Sequence, residues 1–329
     1  MRPQPLSRRR RRFLALSAGA VALTAGCSSD EPGTVADDGS VTVKHVFGET
    51  RIARPPTRVV SAGYTDQDDL LALGVVPVAV TDWFGGEPFG VWPWAQARLG
   101  GAQPVVLNLV DGIQVDAIAA LTPDLIVATN AGLDADTYAK LSAIAPTVAQ
   151  SGRDAFFEPW KDQATTIGQA VFKYQDVTGL IAAIDDRFTK TGEQNPSFKD
   201  KKALLVRGVF EDGAAVVTPA GWRTEFLSQL GFAIPDAVGE FSDGTQAFVP
   251  RDRMAEVLDS ADVLIWTTES DEEQAALLAD PVFAALKTTT TNRNVLTGKE
   301  LAGAIAFASL LSYPLVADQL PAMLAKVLT

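Results

Sequence analysis

Glu158-Pro-Trp-Lys-Asp-Gln-Ala-Thr-Thr-Ile-Gly-Gln-Ala-Val-Phe-Lys-Tyr-Gln-Asp-Val-Thr-Gly-Leu-Ile-Ala-Ala-Ile-Asp-Asp-Arg-Phe-Thr-Lys190 is the stretch on which the fold turns. Its only proline is Pro159, placed where a first helical turn tolerates it. Trp160, Ala164, Ile167, Val171, Tyr174, Val177, Ile181, Ile184 and Phe188 recur every three or four residues, the stripe of a helix with one buried face. At 1.5 Å per residue this predicts a helix of roughly 45 Å, long for the interior of one α/β domain and suited to a strut between two lobes. Gly192 to Asn195-Pro196 ends it.

On either side the chain alternates. Before the strut, Arg58–Ser61, Val75–Val80 and Pro123–Ala128 read as strands, and Asp66–Leu73, Asp116–Leu121 and Asp134–Ala145 as helices. Such alternation predicts an α/β lobe with a parallel sheet. After it, Lys202–Arg207 and Asp262–Trp266 read as strands, Gly221–Leu230 and Arg251–Leu258 as helices. Pro123-Asp-Leu-Ile-Val and Ala261-Asp-Val-Leu-Ile fall at matching places in the two halves, an echo consistent with two similar lobes. The expected organisation is an N-terminal lobe over 41–156, a linking helix over 157–192 and a C-terminal lobe over 193–329.

The first 26 residues read differently. Arg8 to Arg12 precede an apolar run, residues 13–26, shorter than the ~20 residues of a membrane span. A basic segment, an apolar segment and small residues make an export signal. Arg10-Arg11-Arg12-Phe13-Leu14 also fits a twin-arginine signal, so either export route is open. Thr24-Ala25-Gly26-Cys27 resembles a lipoprotein processing box, with Thr24 where Leu is usual, and Cys27 is the only cysteine. The expectation is a lipidated Cys27, a polar tether over 27–40, and a location outside the cytoplasm on the cell membrane. Removing 1–26 removes six arginines and no acid, taking the net charge from −12 to −18. That balance argues against nucleic acid as a partner.

The sequence holds no G-x-S-x-G elbow, H-E-x-x-H, P-loop or G-x-G-x-x-G, and one histidine, His45, in a strand pattern that favours a packing role. An enzyme is not expected, nor a bare-metal site, which draws on several His ligands. The polar and aromatic candidates cluster where strands end. They are Tyr64 after the first strand; Trp83 and Trp92 within Asp82-Trp-Phe-Gly-Gly-Glu-Pro-Phe-Gly-Val-Trp-Pro-Trp94; Arg207 at a strand end; and Trp222 with Arg223 at a helix start. Each also has a plain packing role open to it. Ring faces and a planar guanidinium suit a bulky, oxygen-rich organic or metal-organic ligand.

Arg54-Pro-Pro-Thr-Arg-Val-Val60, Ala72-Leu-Gly-Val-Val-Pro77, Ile118-Ala-Ala-Leu-Thr-Pro-Asp-Leu-Ile-Val127 and Leu141-Ser-Ala-Ile-Ala-Pro-Thr-Val148 resemble, in order and spacing, iron-siderophore substrate-binding lipoproteins of bacterial ABC importers. Ser61-Ala-Gly-Tyr-Thr-Asp-Gln-Asp-Asp69, Val91-Trp-Pro-Trp94 and Phe156-Phe-Glu-Pro-Trp-Lys161 look like the mycobacterial branch of the ferric-dicitrate-binding type, associated with carboxymycobactin-like siderophores and, in some members, haem. The resemblance covers about residues 41–329. It implies two α/β lobes on one rigid helix, a periplasmic-binding-protein-like fold of the helical-backbone class (class III), with ligand between the lobes. By region it adds Asn130 to the ligand candidates. It implies a permease partner docked through one carboxylate per lobe, Asp116 and Asp252, where the family more often has Glu. A haem ligand would need an axial residue, for which Tyr64 is the candidate. A scaffold lipoprotein that has kept the fold without transport is a further alternative.

Overall fold

The computed structural model describes residues 31–328; the expected export signal and Cys27 lie outside the described residues. Among the described residues no helix is long and apolar enough to cross a membrane.

The chain opens with a hairpin, β1 (Val41–His45) and β2 (Gly48–Ile52), whose alternating burial places Val41, Val43 and Ile52 on the core side. Five short strands then form the first sheet: β3 (Val59–Ser61), β4 (Ala79–Thr81), β5 (Val105–Leu107), β6 (Leu125–Ala128) and β7 (Thr147–Ala149). All pair in parallel, in the order β5-β4-β3-β6-β7. Their near-continuous burial is what helices on both faces demand. The intervening helices are α1 (Asp66–Ala72), α2 (Pro93–Gln96), α3 (Val115–Ala120) and α4 (Ala135–Ser142).

The linking segment is helical, but in two pieces: α5 (Trp160–Ala170) and α6 (Tyr174–Gln194). This corrects the single strut expected from the apolar stripe. The break is a Schellman turn: Lys173 N donates to Gly168 O at 2.7 Å, Phe172 N donates to Gln169 O at 3.1 Å, and Phe172 is left-handed at φ 62°. Glycine or asparagine normally marks that position. Phenylalanine occupies it here, and its ring packs against the core. The stripe therefore runs through the turn unbroken. α5 packs on α1 and β1, whereas α6 packs on the helices Glu225–Gln229 and Ser312–Leu328, so the joint falls where one lobe gives way to the other.

The second sheet has the order β10-β9-β8-β11-β12. It comprises β8 (Ala203–Glu211), β9 (Ala214–Thr218), β10 (Ala247–Pro250), β11 (Val263–Thr267) and β12 (Asn294–Leu296). Unlike the first sheet it is mixed. β8–β9 is a hairpin and β9–β10 is antiparallel, while β8, β11 and β12 are parallel. The helices here are α7 (Glu225–Gln229), α8 (Met254–Leu258), α9 (Asp271–Ala279), α10 (Pro281–Ala285), α11 (Lys287–Thr290), α12 (Gly298–Phe307) and α13 (Ser312–Leu328).

The internal echo is structural. β6 and β11 hold the fourth place in their sheets, each beside its sheet's first strand in chain order. The aspartate before each clamps that neighbour in the same way. Asp124 accepts from Arg58 N at 2.7 Å, with Asp124 N returning a bond to Arg58 O. Asp262 accepts from Lys202 N at 2.9 Å, with Asp262 N returning a bond to Lys202 O.

One apolar core runs beneath both sheets. It joins Val59, Leu70, Leu125 and Val127 of the first lobe to Leu205, Phe226, Val263 and Ile265 of the second, through Trp160, Ile167, Ile184 and Phe188 of the linking helices and Tyr313 and Leu320 of α13. The outer face of each sheet has a separate cluster. Burial of this kind stabilises by about 25 cal/mol per Å², and here it ties the lobes together as well as folding each one.

Candidate functional site

A cavity of about 590 Å³ lies between the lobes, at the carboxyl ends of parallel strands. The first lobe contributes four rings: Trp83 and Phe84 after β4, Phe156 and Phe157 after β7. The second contributes Arg207 on β8, Thr218 on β9, Arg223 before α7, Thr267 at the end of β11 and Glu269 after it. Ala302, Ile305 and Ala306 of α12 complete the wall, and Thr245 and Gln246 reach it from the turn before β10.

The aromatic wall is built from below. Tyr64 stacks on Trp83 and on Phe156 at 5.7 Å, and lies 15° from parallel with Phe157 at 6.4 Å. Asn130 is 1% exposed and touches no cavity space. It fixes the wall instead: its Oδ1 accepts from Phe157 N at 2.9 Å and its Nδ2 donates to Thr65 Oγ1 at 3.0 Å. Gly132, at φ 65°, leaves room for the Phe156 ring, which would sit 2.2 Å from a Cβ there. Glu158 closes the loop that carries both phenylalanines, accepting from Ser151 N at 2.8 Å and Ser151 Oγ at 2.6 Å. Its burial pushes the carboxyl up to about 7, against the pull of those bonds.

The aromatic loop after β4 is docked on the opposite lobe. Lys299 at the start of α12 donates to Gly85 O at 2.8 Å and pairs with Glu87 at 2.7 Å. Phe307, at the end of α12, lies within 6.0 Å of the rings of Trp83, Phe84, Trp92 and Trp94. Trp92 is 1% exposed, stacked on Trp94 and pressed on Gly303. It lines no part of the cavity, which corrects its expected ligand contact. Three tryptophans in a Gly/Pro-rich loop demand burial for some of them, and the facing lobe supplies it.

Of the seven ligand candidates, Trp83, Arg207 and Arg223 line the cavity. Tyr64 and Asn130 are not among the lining residues: Asn130 is buried, and the half-buried Tyr64 stacks behind Trp83 and Phe156. Trp222 packs on the core and stacks on the Arg223 guanidinium at 4.3 Å. The Phe157 ring holds the same guanidinium at 5.0 Å. Among the described residues Arg223 has no carboxylate partner, and burial pushes its pKa down. Arg207 is paired with Glu211. Glu269 is raised, by burial first and then by Glu273, with Arg207 opposing. Phe84 belongs to the aromatic group that the sequence places in the loop after β4, whereas Phe156 and Phe157 are wall residues that the strand-end reading misses. The doublet after the last strand of the first lobe was the available signal.

Asp116, in the first turn of α3, and Asp252, in the turn before α8, are both exposed. Each precedes the fourth strand of its own sheet. His45 is buried, its Nε2 2.9 Å from Thr50 Oγ1, and burial lowers its pKa. It packs in the hairpin and does not line the cavity.

Two α/β lobes, a shared core and an interlobe cavity at strand ends define a two-lobed binding protein. Residues 59–301 match the family described as periplasmic binding protein, and the chain belongs to it. Its sequence is 66% identical to a periplasmic solute binding protein of Mycobacterium smegmatis str. MC2 155, whose crystal structure superposes with a TM-score of 0.85 over 89% of this chain and 100% of that one. Two lipoproteins of Bacillus subtilis (strain 168) are similar. The putative ABC transporter substrate-binding lipoprotein YhfQ is 27% identical over 68% of this chain and 67% of its own length. The probable siderophore-binding lipoprotein YfiY is 29% identical over 66% and 65%. The chain thus aligns with about two thirds of each of these lipoproteins.

Proposed function

We propose that this protein captures a ferric siderophore in the interlobe cavity, outside the cytoplasmic membrane, and delivers it to an ABC permease. The observation that carries this reading is the cavity's two-sided chemistry: four aromatic rings from one lobe face two arginines from the other. A chelate brings its own donors to iron. It needs from a protein an apolar face for its organic shell and positive charge for its anionic oxygens. The similarity to YfiY, a probable siderophore-binding lipoprotein, supports the iron-chelate class. Within it, a carboxymycobactin-like ligand, with a flat aromatic donor group, suits stacked rings best. We further propose lipid anchoring at Cys27 and permease docking through Asp116 and Asp252.

Titration of the mature protein with ferric citrate, a ferric hydroxamate and a ferric carboxymycobactin-type chelate tests the reading. Saturable quenching of tryptophan fluorescence is expected, strongest for the last, because Trp83 is in the wall. No saturable response to any iron chelate overturns it.

A further inference from the structure

α1 carries three carboxylates with no exposure at all: Asp66, Asp68 and Asp69. Asp66 stays within its own lobe, accepting from Thr129 Oγ1 at 2.7 Å and Gly63 N at 3.1 Å. The other two reach the opposite lobe. Asp68 Oδ2 accepts from Ser309 Oγ at 2.6 Å, and also from Trp94 Nε1 at 2.8 Å. Asp69 Oδ1 accepts from Leu310 N at 3.1 Å, while its Oδ2 accepts from Gln163 Nε2 at 3.0 Å. Ser309 and Leu310 form the turn between α12 and α13, directly after the helix that walls the cavity.

Among the described residues the surroundings supply no counter-charge. α1 packs on α5 and on the turn at 97–99. From α5, Gln163 faces the acids, while Lys161 is engaged by Asp185 and Glu225 and Asp162 is exposed. Arg98 of the turn is exposed. The α12–α13 junction contributes Ser309, Ser312 and Tyr313, all neutral at pH 7. No ion pair joins any of the three acids among the described residues, and Asp66 and Asp68 both act on Asp69 as like charges.

We propose that Asp68 and Asp69 form an interlobe latch, gripping the 309–310 turn to hold α12 in the cavity wall, and that release of the turn is coupled to loss of their protons. In the closed seam, burial pushes Asp68 up to about 6 and Asp69 up to about 8. Once the turn lifts and water enters, both return toward an ordinary carboxylate value of about 4. The closed form therefore binds protons that the open form gives up. Opening is disfavoured at low pH and grows easier by about tenfold per pH unit for each proton released, up to the closed-state value.

Hydrogen exchange of the ligand-free chain tests this, followed at residues 66–70 and 308–312 between pH 5.5 and 8.5 and corrected for the intrinsic pH dependence of exchange. Because no ligand is present, the outcome is independent of which cargo the cavity takes. Wild-type protection is expected to fall by about tenfold per pH unit between pH 6 and 8, where Asp69 titrates, and to level off above. Asp69→Asn keeps an acceptor for Leu310 N and removes one titrating proton, so its slope should flatten between pH 6 and 8. Ser309→Ala removes a donor to Asp68 without touching Asp69; it should lower protection at every pH and retain the Asp69 slope. A flat wild-type profile overturns the latch. So does an Asp69→Asn slope equal to that of wild type, or Ser309→Ala protection equal to that of wild type.

Discussion

The indole of Trp92, in the first lobe, lies flush on the backbone of Gly303, in the second: a Cβ at that glycine would meet ring carbon Cη2 at 2.5 Å. Only a residue without a side chain lets α12 approach the aromatic loop this closely. With Lys299 bound to Gly85 and Glu87 on the same helix, the contact fixes the loop that carries Trp83 and Phe84. Gly303→Val should cost about 1–3 kcal/mol through overpacking and should displace those rings from the cavity. Denaturant unfolding and the near-ultraviolet circular dichroism of the ligand-free protein measure the two effects separately.

Arg223 should trade stability for affinity. It is half-buried between two rings with no carboxylate partner among the described residues. Arg223→Met keeps the apolar contacts and removes the charge. The ligand-free protein should be as stable as wild type or more so, because a desolvated charge is gone. Affinity for an anionic ferric chelate should fall by about ten- to a hundredfold, the value of a charge-assisted hydrogen bond. Thermal unfolding and fluorescence titration on one sample decide it; equal losses in both would mean that Arg223 is structural.

Stability should rise on mild acidification. Asp66 and Asp68 are pushed up to about 6, Glu158 to about 7 and Asp69 to about 8, all by burial. In the unfolded chain each titrates near 4. Between about pH 4 and 8 the folded state therefore holds more protons than the unfolded state, and its stability falls as pH rises. Each group titrating in that window contributes about 1.4 kcal/mol per pH unit. The melting temperature should be higher at pH 5.5 than at pH 8.5, and Asp69→Asn should narrow the gap.

Asp116→Ala combined with Asp252→Ala should leave chelate affinity unchanged and impair uptake by cells. Both carboxylates are exposed and neither lines the cavity. Uptake of radioiron as the chelate, beside a titration of the purified double variant, checks both halves. A drop in affinity would remove these residues from a docking role.

Ligand should change the scattering radius little, because the lobes share one core through α5, α6 and α13. Opening the cleft as a hinge would tear apolar contacts. Small-angle scattering with and without ferric chelate measures it.

Much of this was legible in the sequence. The repeated Asp-Leu/Val-Leu/Ile motifs around Asp124 and Asp262 marked two lobes on one plan, because the same backbone clamp needs the same residue. The aromatic loop, Arg207 and the helix-start Arg223 pointed to the cavity, although β8 runs on past Arg207 to Glu211. Three things stayed hidden. Phe172 takes the left-handed position that glycine usually announces, so the joint between α5 and α6 left no mark. Acids in the first turn of a helix read as solvated partners of its dipole, and nothing local says that Asp68 and Asp69 are covered by residues 241 positions away, or that Asp66 is covered by Thr129. Whether a tryptophan faces the cleft or the other lobe depends on long-range contact, and Trp92 and Trp83 differ in that alone.

The shared core has a consequence for handover. On the proposed reading, a receiver in the membrane meets empty and loaded copies whose docking carboxylates stand the same distance apart. Spacing then carries no message. Discrimination must fall to whatever the receiver feels at the mouth of the cleft: the cargo's own uncovered surface, and the loops that stiffen around it.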